Sequence, residues 1–145
     1  MDALFPGSST AERKFETEIL EMVAEGTTTI GPLDVAPFEV VHASGAPSFA
    51  LRVETAGGVV AYSGDTEWTE SLVSASRDAD IFICEAYFFD KCIPYHLDFA
   101  TLMRHRDELS AKRLVVTHMS SDMLARLSEL PEGVEAAFDG LTIVI

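Results

Sequence analysis

Two apolar runs in this chain end in the same way, and that repetition limits the fold more than any other feature. Val59-Val60-Ala61-Tyr62 reads as a strand, stops at Ser63-Gly64-Asp65-Thr66, and is followed by Glu67 to Ser76, which reads as a helix. Leu114-Val115-Val116 also reads as a strand, stops at Thr117-His118-Met119, and Ser120-Ser121 opens another helix. Strands that feed helices through short turns belong to α/β sheets, and such sheets gather ligands at the carboxyl ends of their strands. A carboxylate at one such end and an imidazole at another point to a metal site assembled from several loops.

The first half of the chain has a different rhythm. Thr10 is placed to cap a helix over Ala11 to Ala24, with Phe15, Ile19, Leu20 and Val23 on one stripe, and Gly26 stops it. Thr27 to Ile30, Val35 to Val41, Ser48 to Thr55 and Val59 to Tyr62 then read as strands, separated by Gly31-Pro32, Gly45-Ala46-Pro47 and Gly57-Gly58. This is a meander, so antiparallel pairing is expected there. Beyond Ser76 come a strand over Ile81 to Cys84, a helix from Phe99 to Leu109 capped by Asp98, a strand over Arg113 to Thr117 and a helix over Asp122 to Leu130. Val134 to Phe138 and Leu141 to Ile145 read as a closing hairpin about Asp139-Gly140. The fold class is α/β, a mixed sheet flanked by helices.

Composition narrows the function. The 145 residues suit one domain, and 48% hydrophobic with 23% charged residues is a globular balance. The net charge of −14, from 10 basic and 24 acidic residues, disfavours nucleic acid as a partner, because phosphate neutralisation needs clustered Lys and Arg. No apolar run approaches a membrane span, and the first residues lack a basic region and a long apolar core. No membrane partner and a cytoplasmic location are therefore expected. Cys84 sits in an apolar run as a small hydrophobe, Cys92 lies in a loop, and no Cys-x-x-Cys pattern exists.

Each candidate residue admits a plain reading beside a functional one. Asp65 can be a metal ligand, a helix N-cap or a phosphate-loop residue. His118 can be structural or a ligand. His96, in Pro94-Tyr95-His96-Leu97-Asp98, can be a loop histidine held by Asp98, a proton donor, or a contact for an anionic substrate. His42 ends a strand and can line the same cleft. His105, between Arg104 and Arg106, reads as part of a solvated face, and Glu67 with Glu85 can form an acid pair. No Gly-x-Gly-x-x-Gly, P-loop or Gly-x-Ser-x-Gly elbow is present.

Taken in order, four segments are similar to one family. Ala61-Tyr62-Ser63-Gly64-Asp65-Thr66, Ala79 to Ala86, His96-Leu97 and Arg113 to Ser120 resemble the metallo-β-lactamase superfamily, and within it the ribonuclease Z-like metallohydrolases. Val41-His42 followed by Pro47 to Val53 resembles the strand pair that this branch places before its Ser-Gly-Asp-Thr. The resemblance runs from Ala36 to Leu124. It implies an αββα sandwich with a dinuclear metal site at one edge. It implies Asp65 as the carboxylate bridging two metals, His118 as the last histidine ligand, His96 as the histidine near the scissile bond, and Glu85-Ala86 as part of a His-Glu-Ala-Thr motif. On this basis the catalytic candidates are His96 and Asp65, and the metal ligands are Asp65 and His118. His42 and Glu85 are candidate substrate contacts. The implied cofactor is zinc, or manganese or iron, with two ions in a complete site.

Two departures shape the expectation. Cys84 stands where that branch has histidine and Tyr87 where it has threonine, which argues against tRNA 3′-end cleavage. The branch's His-x-His-x-Asp-His motif is absent, since the four histidines contain no His-x-His pair. Residues 1–145 are therefore expected to be a single partial domain, the C-terminal half of the fold. Such a chain should bind metal weakly or not at all and be inactive alone. The complete enzyme would hydrolyse a small-molecule or phosphodiester substrate, with ester and lactone chemistry also open. A second reading is a non-catalytic half-domain that forms a homodimer, or binds a partner, through an exposed sheet face. A third is an unrelated α/β module using the Ser63 to Thr66 turn as an anion nest.

Overall fold

A computed structural model describes residues 7, 10, 12, 14–16, 18–24 and 26–145. Among the described residues, seven strands form one sheet in sequence order: β1 (Thr28–Ile30), β2 (Leu33–Val40), β3 (Ser48–Thr55), β4 (Gly58–Tyr62), β5 (Ile81–Glu85), β6 (Arg113–Thr117) and β7 (Val134–Ala136). The first four pair antiparallel, as the turn-rich meander dictates. From β4 onward the pairing is parallel, and each parallel step needs a crossover. Helices α1 (Glu70–Ser76), α2 (Phe99–Arg104) and α3 (Ser121–Ala125) supply these crossovers. Because β3 reverses the chain, β2 runs in the same direction as β4, β5 and β6. The carboxyl ends of these four strands, and of β7, thus share one edge of the sheet.

Period-2 alternation sends Ala61, Phe82, Cys84, Leu114 and Val116 to one face, where Leu72 and Ala75 of α1, Phe99 and Leu102 of α2 and Met123 of α3 pack on them. Side-chain caps fix where the helices begin. Thr69 accepts from the Ser71 amide, Asp98 from the Thr101 amide and Ser120 from the Met123 amide. The expected helices over Phe99 to Leu109 and Asp122 to Leu130 are each split, ending in 3-10 turns at Arg106–Glu108 and Leu127–Glu129.

The opposite face carries Val60, Ile81, Ile83 and Val115. The expectation of a bare second face needs amending, because residues 137–145 cross it and bury Ile81 and Val115 to 4% and 2% exposure. Phe138, Leu141, Ile143 and Ile145 complete the wall of an apolar cavity of about 330 Å³ between this segment and the sheet. The predicted closing hairpin is accordingly corrected. The Asp139-Gly140 turn forms, with the Leu141 amide donating to the Phe138 carbonyl at 3.0 Å, but residues 141–145 are not a strand. Packing Leu141 and Ile143 against the sheet outweighs pairing at its edge.

The predicted helix over Ala11 to Ala24 is the second correction. Its described residues are not helical, while Ala11, Arg13 and Thr17 lie outside the described residues. Phe15, Ile19 and Val23 are largely exposed, so the stripe finds no packing partner among the described residues. A short helix without tertiary support does not repay its nucleation.

Candidate metal centre

Each of β2, β4, β5 and β6 delivers one part of the site at its carboxyl end. After β2 the chain reaches His42, with the Val41 amide donating to Thr66 Oγ1 at 3.1 Å. After β4 the Ser63 amide donates to the Ile83 carbonyl at 3.0 Å, and Gly64 turns with φ of 62°. A Cβ at Gly64 would lie 3.1 Å from the Phe49 carbonyl oxygen, so this turn needs both the conformation and the size of glycine. Asp65 follows, half-buried. Strand β5 ends on Glu85, and the loop beyond it returns His96 to the same place, tied by the Tyr87 amide to the Leu97 carbonyl at 2.8 Å. Strand β6 leads into His118, which adopts a left-handed φ of 51°. His118 and Tyr95, φ of 70°, are strained non-glycine residues at this one edge, and such conformations persist where the surroundings enforce them.

Glu85 is the centre of the arrangement. Its side chain is 1% exposed. Burying a carboxylate is costly unless donors surround it. Here Oε2 accepts from the Thr66 amide at 2.8 Å and the Leu97 amide at 3.2 Å. Oε1 meets His96 Nδ1 and, at 3.0 Å, His118 Nδ1. His118 Nδ1 also lies 3.0 Å from Asp65 Oδ1. The His96 ring is 5.4 Å from both the His42 and His118 rings, centroid to centroid. Tyr87 stacks on His96 at 4.8 Å and tilts toward His118 at 5.2 Å. Burial first, then the negative charges of Asp65 and Glu85, push the Tyr62 phenol above its ordinary pKa. Burial likewise pushes the Cys84 thiol up, in keeping with a small core hydrophobe.

All five residues singled out from the sequence, His42, Asp65, Glu85, His96 and His118, converge at this edge. Asp65 is not the helix cap, since Thr69 caps α1. Asp98 does not hold His96, because its oxygens take the Thr101 amide and hydroxyl. Glu67 and Glu85 make no acid pair: Glu67 instead accepts from the Tyr95 amide at 2.9 Å. Glu85 faces the two imidazoles rather than open solvent. His105 stands apart, stacked on Trp68 at 4.0 Å. Sequence reasoning missed the packing of Tyr87 on the histidines. Its only signal was a tyrosine in place of a threonine.

Imidazole nitrogens and carboxylate oxygens form the donor set here. In His42, Asp65 and His96, and again in Glu85, His96 and His118, these atoms lie within 4.8 Å of one another. That set suits a borderline cation such as zinc, manganese or iron, so the residues present fit a divalent ion.

A mixed α/β sheet that collects such donors at its strand ends has the layout of a metal-dependent hydrolase fold. The sequence model of the beta-lactamase superfamily domain matches residues 2–119, and the chain belongs to that superfamily. An uncharacterized protein of Mycobacterium leprae is 32% identical over 115 residues, spanning 77% of this chain and 39% of that protein. Ribonuclease Z of Myxococcus xanthus is 34% identical over 110 residues, spanning 67% of this chain and 36% of the enzyme. The metallo-beta-lactamase fold protein YhfI of Bacillus subtilis superposes with a TM-score of 0.74 at 21% identity, over 97% of this chain and 61% of that one. That likeness carries the fold. The chain spans less than half the length of the curated relatives it matches.

Proposed function

We propose that this chain forms part of the active edge of a metal-dependent hydrolase acting on a small phosphodiester, ester or lactone. The observation that carries the reading is the Glu85 carboxylate, buried beneath His96 and His118 with Asp65 beside them. Asp65 and His118 would hold the metal, with His42 and His96 as the further donors grouped with Asp65. A bound divalent cation supplies Lewis acidity and activates water. With Nδ1 of His96 tied to Glu85, the ring's other nitrogen is left to complete the metal's shell or, in the imidazolium form, to give a proton to the leaving oxygen. Glu85 fixes the orientation of both imidazoles, as carboxylates behind metal-site histidines do. The net charge of −14 supports a small substrate over a nucleic-acid polyanion. The two donor groups share His96, so the chain alone is expected to be a weak metal binder and a poor catalyst.

Zinc titration by calorimetry, paired with hydrolysis of bis(p-nitrophenyl) phosphate and of a simple lactone, tests this reading. Wild type should bind zinc weakly, and Asp65→Asn and His118→Ala should each abolish binding and any turnover. Binding unaffected by both substitutions would sink the assignment.

A second reading has its own support. Phe138, Val144 and Ile145 are 67%, 85% and 52% exposed beside the cavity on the second face. An apolar surface of that kind suits self-association or a protein partner. Light scattering distinguishes the two readings, because a monomer over a wide concentration range removes the second.

A further inference from the structure

We infer that Glu67 is a positioning residue that locks a strained turn and thereby holds His96 against His42 and Asp65. This rests on the hydrolase reading for its purpose, though not for its geometry. Ile93 and His96 form a β-bridge around Pro94 and Tyr95. Proline suits the second position of such a turn, and a positive φ at the third is the mark of a type II turn, where glycine is preferred. Here the third residue is Tyr95, at φ of 70°. A tyrosine in that conformation is sterically disfavoured and needs an outside hold.

The hold is visible. Glu67 Oε1 accepts the Tyr95 amide at 2.9 Å, a charge-assisted bond. Glu67 is itself anchored, since its amide donates to the Val41 carbonyl at 3.1 Å and its carbonyl accepts the Thr66 hydroxyl at 2.7 Å. One residue therefore joins the strand end before His42, the turn bearing Asp65 and the turn bearing His96. With the turn fixed, the Tyr95 ring lies edge-on to His42 at 6.2 Å, and the donor atoms of His42, Asp65 and His96 stay within 4.8 Å. Pro94 permits this turn, but the tyrosine at its third position favours others, so the Glu67 bond selects the left-handed conformation.

Amide hydrogen exchange and zinc calorimetry on the full chain test the inference together. Glu67→Ala should lose protection at the Tyr95 amide and weaken zinc binding about tenfold, the lower range for residues behind metal ligands. Glu67→Gln keeps an acceptor oxygen and should retain both within a few fold. Adding Tyr95→Gly to Glu67→Ala should restore zinc affinity, because glycine holds a positive φ unaided. A merely structural role would not give that rescue. Unchanged exchange at Tyr95 in Glu67→Ala overturns the inference, as does zinc affinity that falls and is not regained by the added glycine. If wild type binds no zinc, the hydrolase reading fails, and Tyr95 exchange alone decides the clamp.

Discussion

The two faces of the sheet carry similar apolar side chains but are covered differently. On the first, Phe82, Cys84 and Val116 are fully buried by helices whose caps fix their placement. On the second, Ile83 and Val60 look into a cavity of about 330 Å³ under residues 137–145. Close packing on one side and a loose cover on the other mean that equal changes should have unequal effects. The site edge belongs to the well-packed side of this contrast. Glu85 closes β5, whose Phe82 and Cys84 are locked in the helix-covered core.

The largest expected effect lies on the first face. Phe82→Ala should cost roughly 3–5 kcal/mol in urea unfolding, and a loss below about 1 kcal/mol would break the claim of close packing. Ending the chain at Phe138 should cost less, roughly 2–3 kcal/mol, by removing three partly buried aliphatic side chains. It should also produce concentration-dependent mass in light scattering, and a truncated chain that stays monomeric and equally stable would show that the segment covers nothing of value. Smaller still is a matched pair of added methylenes. Val116→Ile should overpack the first face and cost about 1–3 kcal/mol, whereas Val60→Ile should fill cavity space and gain about 0.5–1 kcal/mol. Equal signs for the two would erase the comparison.

The smallest effect concerns the strand ends opposite the site. Asp80 accepts from Lys112 Nζ at 2.6 Å and from the Val59 amide at 2.8 Å, and in that order these hold its carboxyl below its ordinary value of 3.8. A depressed folded pKa gives stability that is present above the unfolded pKa and is lost as pH falls through the folded one. Asp80→Asn should therefore lower stability slightly at neutral pH and flatten its fall below pH 3.8, the two proteins converging in acid. An unaltered acid limb would remove Asp80 from the account.

Much of this fold is legible in the sequence, because strand signals are local. Ser48–Thr55 and Arg113–Thr117 fall where alternation and turn residues place them, and the meander pairs antiparallel as its short turns require. The site is legible in part. Asp65 and His118 announce themselves by ending strands, and His96 by its family-like setting. Glu85 is harder, since a carboxylate at the end of an apolar strand gives no hint that two imidazoles and two amides will surround it. Tyr87 gives only the signal of a tyrosine in a threonine's place and Tyr95 gives none, because ring stacking and a left-handed turn depend on neighbours that the fold brings together. The helix expected over Ala11 to Ala24 shows the opposite error, a periodic stripe without a surface to receive it.

By itself, then, the sequence determined the order of strands and turns, the family, and which residue types stand at the strand ends. Those follow from short-range sterics, alternation and capping, which act within a few residues. Only the tertiary structure decided that β2, β4, β5 and β6 deliver their ends to one edge, that Glu85 is buried there, and that the C-terminal residues lie across the second face. Those outcomes depend on burial and on satisfying buried polar groups. Both are properties of residues brought together from distant parts of the chain.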